Sequence, residues 1–133
     1  MKEDYIFRLP MKVRDYEVDV EGIVNNANYL HYLEHTRHEF CAMAGFSFRD
    51  MHLSGIDPVL AHVDISYRTP LTLGQEFESC LRLERKGPRF VFYQDIYTTD
   101  GRLVVEARVT CVTTRAGRLT RGDELAEAFG KYL

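Results

Sequence analysis

Asp19 lies three residues ahead of Gly22 in the run Tyr16-Glu17-Val18-Asp19-Val20-Glu21-Gly22-Ile23-Val24, and Asn25, Asn26 and Asn28 follow at once. Asparagines at this spacing suit the opening of a helix, whose first N–H groups lack intrahelical partners and carry the positive end of the dipole. A carboxylate beside such donors can attack a carbonyl, or activate water to do so, while the donors hold the oxygen as it becomes negative. A thioester demands least beyond this, because its thiol, with a pKa near ~8.5, departs readily as thiolate. An Asp in such a place also makes turns and caps helices, so the motif alone leaves both roles open.

Several elements must position these groups. The run Val13 to Glu17 reads as the end of a strand, Asp19 hangs just past it, and Gly22 lets the chain reverse. Alternation from Tyr5 to Glu17 puts Phe7, Leu9, Met11 and Val13 on one side, and Pro10 argues for an edge position. The helix is predicted from about Asn28 to Ala44, roughly 26 Å long, with Gly45 as its stop. Its apolar stripe is Leu30, Leu33, Phe40 and Ala44, widened by Tyr29, Tyr32, Thr36 and Met43; His31, Glu34, His35, His38 and Glu39 form the polar side. So wide a stripe calls for a sheet wrapped around the helix.

Beyond Gly45, Ser47 and Asp50 have capping spacing, predicting a short helix with Phe48, Met51 and Leu53 in a mobile flap before Gly55. Strands are predicted at Leu60 to Tyr67, Glu76 to Arg85, Arg89 to Thr98 and Arg102 to Thr114, with turns at Thr69 to Gly74, Lys86-Gly87-Pro88 and Asp100-Gly101. In the first of these, Ala61, Val63, Ile65 and Tyr67 face one way, and His62, Asp64 and Ser66 the other. A short terminal helix carries Leu125, Ala128 and Phe129 on one stripe. One long helix followed by an antiparallel meander is an α+β arrangement.

The chain has 133 residues, 45% hydrophobic and 12% aromatic, which suits one domain with a single core. A net charge of -3 and a pI near 5.9 argue against a general nucleic-acid binder. Cys41, Cys80 and Cys111 are too scattered for a disulfide framework or a Cys-x-x-Cys metal pair, and a reducing cytoplasm is the simplest setting. The start, MKEDYIFRLP, carries acids where a signal peptide needs an apolar core, and no stretch is long enough to span a bilayer. A soluble intracellular protein is expected.

The segment Tyr16 to Val24, followed by Asn28-Tyr29, Glu34 and Arg37, resembles the signature of the 4-hydroxybenzoyl-CoA thioesterase and YbgC-like acyl-CoA thioesterases of the hotdog fold. The later Tyr67-Arg68-Thr69-Pro70-Leu71-Thr72-Leu73-Gly74 matches that family's strand-Pro-Gly pattern, so the likeness covers most of the chain. The resemblance implies a curved antiparallel sheet of five to six strands around one central helix. It also implies catalysis by Asp19, with the Asn26 N–H polarising the thioester carbonyl. Gly22, Ile23, Val24, Asn28 and Tyr29 are expected around the substrate. The loop histidine of many YbgC-like members is replaced here by Asn25-Asn26. A homodimer joined sheet edge to sheet edge, or a homotetramer built as a dimer of such dimers, is implied, with the site between subunits. The CoA thioester is the substrate, and no cofactor is needed.

Other constellations compete. His31-Tyr32-Leu33-Glu34-His35 spells H-x-x-E-H, whose histidines share a helix face and could hold zinc, but no third ligand stands out. Glu34 and Arg37 can pair across one turn. Arg85, Lys86 and Arg89 around a turn, together with Arg68, are candidates for the phosphates of CoA. Phe90, Phe92, Tyr93 and Tyr97 read as core and interface. The alternatives to hydrolysis are a protein that binds acyl-CoA without cleaving it, or hydration of an enoyl thioester; acyl carrier protein is the alternative carrier.

Overall fold

The computed structural model describes residues 4–133. Strand β1 (Phe7–Lys12) leads through a 3-10 turn (Asp15–Glu17) to helix α1 (Asn26–Met43). Helix α2 (Phe48–Leu53) precedes β2 (Ile56–Tyr67), β3 (Glu76–Lys86), β4 (Arg89–Thr98), β5 (Leu103–Arg115) and the two-residue β6 (Arg118–Leu119). Helix α3 (Asp123–Ala128) and a 3-10 turn (Gly130–Tyr132) end the chain. The sheet order is β1-β3-β4-β5-β2, every pairing is antiparallel, and β6 pairs with β5.

The predicted strand run to Glu17 is too long. Pairing with β3 ends at Lys12, because Glu17 folds back on Arg14. Its Oε1 accepts the Arg14 N–H at 2.7 Å and its Oε2 accepts Arg14 Nη1 at 3.0 Å. Pro10 does lie on an edge strand, where its missing donor costs no ladder bond. Strand β2 begins four residues earlier than expected; Pro58 fits because β2 is the opposite edge. The turns at Lys86-Gly87-Pro88 and Asp100-Gly101 lie where expected.

Helix α1 packs across the concave face and divides the core in two. Its first half sends Tyr29, Tyr32 and Leu33 against Val13, Leu71, Phe77, Ile96 and Val105. Its second half sends Phe40 and Cys41 against Leu81, Phe90, Phe92, Val109, Leu125 and Phe129. Leu30 and Met43, assigned to the stripe, are exposed at 41% and 49%, and Ala128 is exposed on α3. Polar bonds tie the helix to the sheet between the two halves. Thr36 Oγ1 meets Ser79 Oγ at 2.7 Å, and Gln94 Nε2 donates to the Leu33 carbonyl at 3.0 Å. Arg37 turns inward and donates to Gln94 Oε1 at 3.0 Å, instead of pairing along the helix surface with Glu34.

Glu17 is 5% exposed and also accepts the buried Tyr32 hydroxyl at 2.8 Å. Glu17→Ala strands that hydroxyl and frees the turn, so it should lower stability by about 1–3 kcal/mol, measured by urea unfolding. Unfolding indistinguishable from the parent would show that the turn holds without it.

Candidate active site

The loop carrying Asp19 is a tight reversal closed by a Val18–Val24 bridge. Asp19 N–H donates to the Ile23 carbonyl at 2.9 Å, and Gly22 N–H to the Asp19 carbonyl at 3.0 Å. Gly22 has φ +79, a conformation that other residues enter at a cost. The Asp19 side chain is exposed, and its Oδ1 accepts the Glu21 N–H at 2.8 Å, an Asx turn that aims the carboxylate without burying it.

The loop is fastened on two sides. Ile23 bridges to Thr72, and Val24 N–H donates to the Leu71 carbonyl at 2.9 Å. The Glu17 carbonyl accepts both Asn25 N–H at 3.1 Å and Asn28 Nδ2 at 2.9 Å. Asn25 caps α1, accepting the Ala27 N–H at 2.9 Å, and Asn28 N–H goes to the Asn25 carbonyl at 2.9 Å. The Asn26 N–H takes no acceptor among the described residues, so it is the open donor of the first turn.

Asn26 and Val24 line a cleft of about 220 Å³ with Tyr29, Tyr67, Arg68, Thr69 and Pro70. The Tyr29 ring lies 5.5 Å from that of Tyr67, and its hydroxyl accepts the Leu71 N–H at 3.0 Å. Arg68 reaches the same cleft, with Glu106 at 3.7 Å. Of the predicted site residues, Val24, Asn26, Tyr29 and Arg68 line this cleft, while Asp19, Gly22, Ile23 and Asn28 lie in the loop and first helical turn that adjoin it. Asn28 and Tyr29 spend their polar atoms on holding the loop and the Leu71 backbone. Tyr67 and Thr69 were missed as cleft residues, although the strand-Pro-Gly pattern around them marks a chain reversal. Glu17 was missed as the fastener, and its spacing from Arg14 is the signal that could have found it.

Arg85, Lys86 and Arg89 are placed elsewhere in this chain. The β3–β4 ladder runs from Phe77–Thr98 near the helix start to Lys86–Arg89, about 30 Å away at strand rise. Arg85 there donates to the Gly87 and Arg121 carbonyls, each at 2.9 Å, and to Asp123 at 2.7 Å. The histidines of the H-x-x-E-H run contact helix neighbours, His31 with Asn28 at 3.3 Å and His35 with Glu39 at 3.8 Å. Among the described residues no three His, Cys, Asp or Glu side chains converge in a way that could hold a metal. No described helix is long and apolar enough to cross a membrane.

Residues 13–131 match the model of the thioesterase-like superfamily. A putative esterase of Aquifex aeolicus is 38% identical over 66% of this chain and 66% of its own length. The chloroplastic acyl-acyl carrier protein thioesterase ATL3 of Arabidopsis thaliana is 39% identical over 50% of this chain, a match spanning only 35% of that protein. The long-chain acyl-CoA thioesterase FadM of Escherichia coli is 31% identical over 77% of this chain and 78% of its own. Among solved structures, a hypothetical protein from Aquifex aeolicus superposes with a TM-score of 0.83 at 30% identity, covering 92% of this chain and 98% of that one.

Burial pushes the thiols of Cys41 and Cys80 up to about 12, so neither is a thiolate nucleophile at neutral pH. Iodoacetamide at pH 7.5 should therefore leave both unmodified in the folded protein, read by mass spectrometry. Asn25→Ala, which removes the cap, should cost about 0.5–2 kcal/mol in thermal unfolding, and Asn25→Asp should retain most of the stability. The helix-wrapped sheet, the loop-to-helix junction and the family match together make this chain a member of the thioesterase-like superfamily, with the hotdog fold.

Proposed function

We propose that this chain hydrolyses acyl-CoA thioesters to a carboxylic acid and free CoA. The observation that carries the proposal is the junction at the start of α1. There an exposed carboxylate and a helix N–H with no acceptor among the described residues flank one short loop, beside a cleft with an arginine at its edge. The family match and the names of FadM and ATL3 support a thioester substrate.

In this mechanism the thioester carbonyl points its oxygen at the Asn26 N–H, and the ionised Asp19 acts on the carbonyl carbon. As nucleophile, Asp19 expels CoA thiolate to give a mixed anhydride, which water hydrolyses. As general base, it takes a proton from water, whose oxygen forms the new bond while the thiolate leaves. Single turnover in oxygen-18 water separates the routes, since only the anhydride route can place the label in the Asp19 side chain. Arg68 suits a phosphate of the CoA moiety as a guanidinium donor.

The distant basic hairpin fits this scheme through a second copy. Strand β2 is an open edge bearing exposed Val59, Leu60 and Tyr67. Antiparallel pairing of two such edges brings opposite ends of the two sheets together, and so turns the partner subunit's basic hairpin end toward this chain's helix start. A dimer, alone or doubled into a tetramer, is therefore part of the proposal, and light scattering tests it.

Asp19→Asn keeps the size and removes the charge. It should lower kcat by about 10²–10⁴-fold in a dithiobis-nitrobenzoate thiol-release assay while leaving the fold intact. Unchanged turnover would sink the assignment, and ester binding without thiol release by the parent protein would leave a non-catalytic acyl-CoA binder. Arg68→Ala should raise KM for acyl-CoA several-fold with little change in kcat. Parallel assays with acyl carrier protein esters decide the carrier.

A further inference from the structure

A second cavity, also of about 220 Å³, lies at the other end of the seam between α1 and β2. The cleft at the helix start is made by Asn26 and Tyr29 against Tyr67; this cavity is made by Glu34, Arg37, His38 and Cys41 against Pro58, Val59 and Leu60. Since α1 and β2 run in opposite directions along this seam, both openings fall on one line. Arg37 stands eleven residues beyond Asn26, about 16 Å along the helix.

The walls are mostly apolar, with Phe48, Phe92, Leu125 and Phe129 closing the cavity. Its volume exceeds the about 150 Å³ that suffices to hold benzene in a dry cavity. Into this apolar setting projects one guanidinium. Burial pulls the pKa of Arg37 below its ordinary value, and among the described residues its one hydrogen bond is to the neutral Gln94. A guanidinium carries five N–H donors and pairs best, in bidentate fashion, with a carboxylate. Glu34 is exposed in the same lining and its charge favours the protonated Arg37, but no ion pair joins the two among the described residues, so the guanidinium keeps donors for a second carboxylate.

We propose that this cavity receives the far end of the acyl group, and that Arg37 selects chains ending in a carboxylate over chains ending in a methyl. The proposal rests on the thioesterase reading above and names the acyl class that the site prefers. The span from the Asn26 N–H to Arg37 suits a medium or long alkyl chain, and a short acyl group does not cover it.

The test compares dodecanoyl-CoA with its ω-carboxy counterpart, with butyryl-CoA as a short substrate that does not reach the cavity. Wild type should show kcat/KM about ten- to hundredfold higher for the carboxy-ended ester, the range expected for a hydrogen bond to a charged group. Arg37→Met should bring the ratio to one or below. Thiol release with equal kcat/KM for the two long esters, or a preference that survives in Arg37→Met, overturns the inference and leaves the hydrolase standing. No thiol release from any of the three esters defeats the hydrolase instead, and calorimetric titration of the two long esters then decides the cavity: tighter binding of the carboxy-ended ester supports it, and equal binding overturns it. Should Arg37→Met fail to fold by circular dichroism, Arg37→Gln, which keeps a polar contact with Gln94 and removes the charge, takes its place. It should likewise bring the ratio to one or below, and a preference retained there overturns the proposal.

Discussion

The architecture of the site depends on one buried acid. Glu17 accepts through its carboxylate from Arg14 and Tyr32, and through its carbonyl from Asn25 and Asn28. One residue thereby ends the approach from β1, anchors the core face of α1 and fixes where the helix begins. A carboxylate excluded from water is tolerable only when its lone pairs are satisfied, and here backbone, guanidinium and phenol donors all converge on it. Because these bonds converge from both sides of the loop, Asp19 is free to remain solvated. One acid is spent on structure so that its neighbour two residues on can stay available.

The helix start shows the same division of labour among asparagines. Asn25 satisfies one donor of the first turn, Asn28 reaches back to the Glu17 carbonyl, and the N–H of Asn26, a residue of the cleft lining, has no acceptor among the described residues. A helix end with every donor satisfied would be more stable and chemically inert. A single unsatisfied donor at a helix start costs little while water covers it, and in the proposed mechanism it is the group that holds the developing oxyanion.

Much of this was legible in the chain. Gly45, Lys86-Gly87-Pro88 and Asp100-Gly101 mark chain reversals whose chemistry is local, so the helix stop and the meander could be read directly. Ser47 and Asp50 located α2 in the same way. What escaped was set by distant partners. The strand run to Glu17 fails because a side chain folds back at Arg14, and no alternation pattern records that. Leu30 and Met43 fit helical spacing yet stay exposed, because sheet and α3 cover only part of the helix girth. Arg37 satisfied an i,i+3 rule with Glu34, but the amide of Gln94, a distant residue in sequence, offered a buried acceptor. The basic turn was correctly seen as a turn; its distance from the helix start depends on strand pairing, which spacing does not encode.

Strand β2 has a consequence for how the molecule comes into being. Its ladder partner is β5, so Ile56 waits for Arg115 and Tyr67 for Val105 before either finds its place in the sheet. During synthesis β2 leaves the ribosome with α1 and α2 but without its ladder partner, while β3 and β4 can pair as a local hairpin. Closure of the sheet around the helix thus becomes a late event requiring nearly the whole chain, and truncation within β5 should yield a species exposed to chaperones rather than a smaller stable core.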